Sequence, residues 1–368
     1  MNIDETVWDI PIQTKTKLAI LENYLNAWAT VLKETGDVLY YVDGFAGPGS
    51  YRDPKTKQRV PGSPIRAIKI YQKHKQEKKW KYELRFINVE KDVNIFEELE
   101  EQTGKFKKKF YIKNLSGEFL DKIDDIIGEI ENNHTFFFID PFGISGIDFD
   151  KLLQVFKRRK TEIFLNFNYN GLQRCLGELK NLNHKDDKIR NLAVKTIDRV
   201  SQMLGLGIEE LKSLHGLIEI DPQKERWILK TYRSNLTEHK RFPYPFKNKF
   251  PGSERTFYYL FFMTDNIVGL KIMKDIMYKE RDKEISQLFL FPKTDISKLK
   301  DKLANRYTGQ RLPYNKILEQ WLPKCEYIDD EDYLERDVKK ALGVLEEEGK
   351  VEKIQKPGYK RPLYRFLN

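Results

Sequence analysis

Val38-Leu39-Tyr40-Tyr41-Val42-Asp43-Gly44-Phe45-Ala46-Gly47-Pro48-Gly49-Ser50 sets an almost unbroken apolar run against a glycine-rich turn. A run without polar alternation is the pattern of a strand covered on both faces, as in a parallel sheet. Glycines at its end let the backbone approach a ligand where side chains would otherwise fill the space. A small-molecule site is therefore expected at the carboxyl end of this opening strand. Gly44, Gly47 and Gly49 do not follow G-x-G-x-x-G, and no Gly-Lys-Ser/Thr follows to hold a triphosphate, which disfavours NAD and ATP.

Working outward, Leu18, Leu21, Tyr24, Leu25, Trp28 and Leu32 form one amphipathic stripe, predicting a lead-in helix over 14–33 that ends at Gly36. Buried strands are expected at Leu84 to Val89, Lys109 to Ile112, Thr135 to Ile139 and Glu162 to Phe167, with helices at Val93 to Thr103 and Glu118 to Ile130 between them. Strand and helix alternate, so the fold class is α/β, a doubly wound Rossmann-like sheet. The stretch 177–223 reads as a polar helical insertion. Trp227 to Leu236 and Thr256 to Thr264 read as strands, joined through the proline-rich Phe242-Pro243-Tyr244-Pro245-Phe246 loop. Gly269 to Lys279 resumes a helix, and 281–305 reads as a charged connector. Beyond Arg311 the pattern is helix (Tyr314 to Trp321), helix (Asp332 to Glu348) and two strands (Val351 to Ile354, Leu363 to Phe366) around a tight basic hairpin. That order predicts a C-terminal winged helix at 306–368, behind a first domain of 1–300.

The 66 Lys and Arg residues outnumber 56 Asp and Glu, for a net charge of +10, which fits a polyanionic partner and equally a Lys-rich solvated surface. Cys175 and Cys325 form no metal-ligand spacing or disulfide framework and suit a reducing compartment. No stretch approaches the roughly 20 apolar residues that span a bilayer, and Met1 to Asp9 lacks the pattern of a signal peptide. A cytoplasmic protein without membrane partners is expected.

Asp43 followed by Phe-x-Gly-x-Gly resembles motif I of S-adenosylmethionine (SAM) methyltransferases. The resemblance makes Asp43, Phe45, Ala46, Gly47 and Gly49 candidates for holding SAM, although glycine-rich turns also occur without a ligand. Glu90 ends the next strand, where a carboxylate can accept from two ribose hydroxyls; it is equally an ordinary strand-end Glu. Glu118 and Phe119 open the helix after the third strand and are candidates for the adenine ring, while Ser116 reads equally as a helix N-cap with Glu118 favouring the dipole. Phe136-Phe137-Phe138-Ile139-Asp140-Pro141-Phe142-Gly143 runs an apolar strand into a rigid acidic turn. It resembles motif IV of nitrogen methyltransferases, with Phe142 where a second proline is usual, as in tRNA guanine-N2 dimethyltransferases. In that reading Asp140 and the Pro141 carbonyl accept from an amine and Phe142 stacks on the base, with Gly143 beside it; separately, Asn166 and Asn168 at the end of the fifth strand are candidates for substrate contact near the same rim. Lys356, Tyr359, Lys360 and Arg361 in the wing are candidates for phosphate contacts, or a solvated hairpin.

Taken together, Thr14-Lys15-Thr16-Lys17-Leu18, Tyr24-Leu25-Asn26-Ala27-Trp28, the Tyr-Val-Asp-Gly-Phe-Ala-Gly-Pro-Gly loop, Pro61-Gly62-Ser63-Pro64, Phe-Ile-Asp-Pro-Phe-Gly, Phe257 to Thr264, and Gly269 with Met273-Lys274 resemble the bacterial three-Cys-motif partner (TcmP) family. The second-strand motif departs from that pattern, reading Asn-Val-Glu with Glu90 in register. The resemblance implies a class I SAM-dependent methyltransferase body with a winged-helix tail, often encoded beside a radical-SAM-like protein bearing the three cysteines. Two functions are expected: SAM-dependent N-methylation of a DNA or RNA base, or a non-catalytic or merely SAM-binding nucleic-acid-binding partner that acts in complex with the three-Cys protein.

Overall fold

The computed structural model describes residues 7–32, 38–77, 82–220, 224–249, 253, 255–285, 294–355, 357–358 and 361–367. Five strands, β1 (Leu39–Asp43), β2 (Leu84–Glu90), β3 (Ile112–Ser116), β4 (His134–Ile139) and β5 (Thr161–Phe167), run parallel. The hairpin β6 (Phe242–Lys249) and β7 (Thr256–Thr264) extends them, with β7 antiparallel to β5. The order β3-β2-β1-β4-β5-β7-β6 is the doubly wound pattern with one reversed strand. This is a Rossmann-like α/β architecture.

The apolar runs explain the centre of the sheet. All five residues of β1 are buried, as are the four aromatic and aliphatic positions Phe136 to Ile139 of β4, which requires helices on both faces. α1 (Ile12–Val31), α2 (Ser63–Gln76) and α3 (Val93–Lys107) pack in succession, while α4 (Phe119–Ile130), α5 (Phe149–Phe156) and α7 (Asp187–Leu204) form a second group. α6 (Tyr169–Leu176) precedes the expected helical insertion, and a short 3-10 turn at Gly177–Asn181, α7 and α8 (Ile208–Ile220) lie within it.

Three local readings are corrected by the structure. Residues 227–236 lie in a helix, α9 (Lys224–Thr237), whose buried Ile228, Leu229, Tyr232 and Leu236 follow helical spacing despite their β-prone side chains. The proline-rich segment is the strand β6; it lies at the sheet's edge, where a proline without an N–H costs no internal ladder bond. Ser116 closes β3, so the residue preceding α4 is Glu118, whose side chain makes no capping bond.

The chain divides into two compact units, 1–265 and 266–368. The division precedes the 300–306 boundary expected from composition, because α10 (Ile267–Ile285) packs with the second unit: the buried Lys274 donates to Leu322 O at 2.8 Å and Asp332 Oδ1 at 2.6 Å. The expected connector also contains α11 (Ile296–Tyr307). There follow β8 (Arg311–Pro313), α12 (Tyr314–Trp321), α13 (Glu335–Glu347), β9 (Val351–Ile354) and β10 (Leu363–Phe366), with sheet order β8-β10-β9. That is a winged helix. Among the described residues no helix is long and apolar enough to cross a membrane.

Candidate functional site at the carboxyl ends of β1, β2 and β4

The glycine turn is fastened to both neighbouring strands. Gly44 N donates to Phe138 O and Ala46 N to Val89 O, each at 2.9 Å. Gly47 N donates to Glu90 Oε2 at 3.0 Å, and Glu90 Oε1 accepts from Asp92 N at 2.9 Å. The turn after β1 and the acidic turn after β4 therefore meet at one end of the sheet. Gly47 and Gly49 take the left-handed φ values +61° and +75° that favour glycine. Gly47 is itself buried, yet a Cβ placed on it would meet no atom within 4 Å, so the turn borders open space rather than packed side chains. Gly44 has the opposite reason: a Cβ there would lie 3.0 Å from the Phe119 ring.

Asp43 lies beneath the turn, fully buried. Tyr41 Oη donates to Oδ2 at 2.9 Å and Phe45 N to Oδ1 at 3.3 Å, and Ser63 at the start of α2 adds another bond. Burial pushes its carboxyl up to about 7 against the pull of those donors, with the Asp140 charge adding to the rise. Asp43 thus braces the turn from inside. Glu90 uses two of its roughly four lone-pair sites on backbone N–H groups, leaving acceptor capacity for a ligand. Glu118 is exposed, 3.4 Å from Lys91 Nζ, whereas Phe119 is buried against Phe45, with ring centroids 5.7 Å apart. Three buried side-chain oxygens at this end of the sheet, Ser50 Oγ, Asn88 Oδ1 and Asn166 Oδ1, have no hydrogen-bond partner among the described residues.

The acidic turn holds a pairing that the sequence reading missed. Lys17 of α1 reaches Asp140 Oδ1 at 2.6 Å and Oδ2 at 2.5 Å, and Asn166 Nδ2 donates to Oδ1 at 2.8 Å. The Lys17 ammonium also stands 5.7 Å over the Tyr258 ring. The lysine was visible in the Thr-Lys-Thr-Lys-Leu segment, but nothing local marked it as a partner of Asp140. Pro141 is buried, while Phe142 is 73% exposed and meets Trp8 edge to face with centroids 6.0 Å apart. Gly143 borders a cavity of about 380 Å³ that Ile144, Gly171, Arg174, Cys175 and Leu192 also line. Asn168 is the N-cap of α6, its Oδ1 accepting from Gly171 N at 2.8 Å, a bond that keeps its side chain within the helix end.

In the second unit, Lys356, Tyr359 and Lys360 lie outside the described residues. Arg361 donates to Asn315 Oδ1, tying the foot of the wing to α12. Residues 277–358 match the family model of the GMT-like wHTH domain. A search of curated proteins finds no match. Among solved structures the chain is similar to a Legionella pneumophila protein of family DUF519, at 11% identity and TM-score 0.42 over 72% of this chain and 91% of that one. It is also similar to an O-methyltransferase from Bacillus cereus in complex with SAH (13% identity, TM-score 0.30, 66% and 80% covered). A third likeness is to the O-methyltransferase TomG of Streptomyces achromogenes, involved in tomaymycin synthesis and solved with SAM (11% identity, TM-score 0.33, 67% and 79% covered).

Proposed function

We propose that the first unit is a SAM-dependent methyltransferase acting on a nitrogen of a nucleic-acid base, and that the winged helix helps hold the nucleic acid. The observation that carries this reading is the junction of the two turns: Gly44 N on Phe138 O sets the open glycine turn beside Asp140, and an exposed Phe142 follows two residues on.

The residues fit the cofactor. The open space over Gly47 suits a ligand close to the backbone, and Glu90, with two acceptor sites left, suits a ribose diol. Asp43, Phe45, Ala46 and Gly49 shape and brace that turn, with Glu118 and Phe119 on its far side. When bound, SAM supplies an electrophilic methyl group. Lys17 and Asn166 make three contacts with Asp140, leaving about one of its four lone-pair sites for an amine proton, with the Pro141 carbonyl as second acceptor. The Lys17–Asp140 pair is neutral as a unit. The residues therefore act by aiming the nitrogen lone pair rather than by net charge, which suits a transfer governed by positioning. Phe142 offers a ring face for the base, and Gly143, with its cavity, leaves room beside it.

A second reading rests on the same pairing. If Lys17 holds Asp140 permanently, the chain acts as a nucleic-acid-binding partner, and the resemblance to the TcmP family would make its companion a radical-SAM-like three-Cys-motif protein. The cytoplasm suits either role. Incubating the protein with labelled SAM and total nucleic acids, with and without such a partner, tests both. Label in nucleic acid that disappears with Asp140→Ala, while calorimetry still detects SAM binding, supports the enzyme; turnover retained by Asp140→Ala removes its assigned role. No SAM binding at all leaves the partner reading.

A further inference from the structure

Three aromatic side chains from distant parts of the chain meet at the mouth of the site. The Trp8 ring lies 6.0 Å from Tyr51 and 6.0 Å from Phe142, edge to face with both. The segment bearing Trp8 is strapped in place: Val7 and Ile10 are buried, Arg52 N donates to Trp8 O at 3.0 Å, and Ile10 N to Arg52 O at 2.9 Å. Asp9 Oδ1 accepts from Arg52 Nε at 2.6 Å. Tyr51 belongs to the hairpin of Ser50–Arg52 and Arg59–Pro61, which continues directly from the glycine turn. Burial pushes the Tyr51 hydroxyl well up, and the Asp140 and Asp43 charges push it further, so the cluster lies within electrostatic reach of both carboxylates.

The same hairpin is basic. Arg52, Lys55, Lys57 and Arg59, with Lys15 of α1, stand against the carboxylates of Asp9, Asp53 and Glu98 that pair with four of them. Lys55 and Lys57 are exposed. An aromatic ledge beside a cationic rim is the chemistry that takes an unstacked base on its ring faces and the adjoining phosphates on its ammonium groups. A base inside a duplex keeps both faces covered and cannot use such a ledge.

We propose that Phe142 and the half-buried Trp8, backed by the more deeply set Tyr51, form with the Lys55–Lys57 rim a docking site for single-stranded or extrahelical nucleic acid that delivers a base towards Asp140. This deepens the methyltransferase reading and rests on it for the fate of the base, though not for binding.

The test uses the full chain and fluorescein-labelled single-stranded DNA and RNA of about 12 nucleotides, within the span such grooves cover. Trp8→Ala and Phe142→Ala should each weaken binding by about 5- to 150-fold, the range of one lost base stack, and Phe142→Trp should restore it. Lys55→Gln with Lys57→Gln should lower the slope of log affinity against log salt by up to about 1.4. Photocrosslinks from 5-iodouracil strands should map to residues 7–10, 51–52 or 142. Phe142 is exposed, so its alanine variant folds and keeps the test decisive even if Trp8→Ala does not. Unchanged affinity in Phe142→Ala, crosslinks confined to the winged helix, or duplex bound as tightly through these residues would each overturn the docking site. Loss of binding in the variants without any methyl transfer by the wild type leaves the docking site standing and removes the methyltransferase reading; transfer with no effect of the variants does the reverse.

Discussion

Lys17 grips both oxygens of Asp140, at 2.6 and 2.5 Å, from a helix 123 residues earlier in the chain. Both side chains are largely shielded, 8% and 17% exposed, so neither charge is well compensated by water alone. Lys17→Met should lower stability by about 2–4 kcal/mol, somewhat below the loss typical of a fully buried pair because Asp140 keeps Asn166 and some solvent. Lys17→Met combined with Asp140→Asn should be milder than the sum of the two. Thermal unfolding of the four proteins in a double-mutant cycle measures the coupling; additive losses would show that the pair is not an energetic unit.

Gly47 separates fold from ligand. A Cβ there meets nothing, so Gly47→Ala should cost only about 1–2 kcal/mol of folding stability, from the left-handed φ of +61°. The same methyl group intrudes on the space proposed for SAM. Calorimetric titration with SAM should show at least a tenfold loss of affinity, in a protein whose melting temperature falls only a few degrees.

Asp43 makes stability depend on pH. Its folded-state value of about 7 lies above the ordinary 3.8, so between those values the folded protein binds more protons than the unfolded chain. Stability should therefore fall as pH rises from 3.8 towards 7, by up to roughly 1.4 kcal/mol per pH unit, and level off above. Asp43→Asn should flatten that part of the profile. Melting temperatures across the range, wild type against variant, decide it: identical slopes would mean the carboxyl is not the titrating group.

Lys274 is the buried clasp of the second unit, donating to Leu322 O and to Asp332, which also accepts from Tyr278. Lys274→Met leaves a carboxylate and a carbonyl without their cation, a loss of about 3–5 kcal/mol. Scanning calorimetry of the full chain should show an earlier transition for this unit while SAM titration remains unchanged. Asp332→Asn in the same chain should recover part of the difference.

The sequence by itself determined the elements that local patterning encodes. Uninterrupted apolar runs specified β1 and β4 as two-face-buried strands, the glycines placed an open turn after β1, and Asp140-Pro141-Phe142-Gly143 marked a rigid turn after β4. The winged-helix strands Val351–Ile354 and Leu363–Phe366 fall where their alternation and the turn between them require. Local patterning failed where a neighbour set the outcome. β-prone residues over 227–236 form a helix because their apolar side chains share one helical face, and Pro243 and Pro245 sit in a strand because it is an edge. Only the tertiary structure decided that Lys17 closes on Asp140, that Asp43 braces the turn from below, and that Trp8, Tyr51 and Phe142 share one rim. Hydrophobic period reports which face of an element is buried; which charged or aromatic side chains meet across the sheet depends on how elements far apart in sequence are brought together.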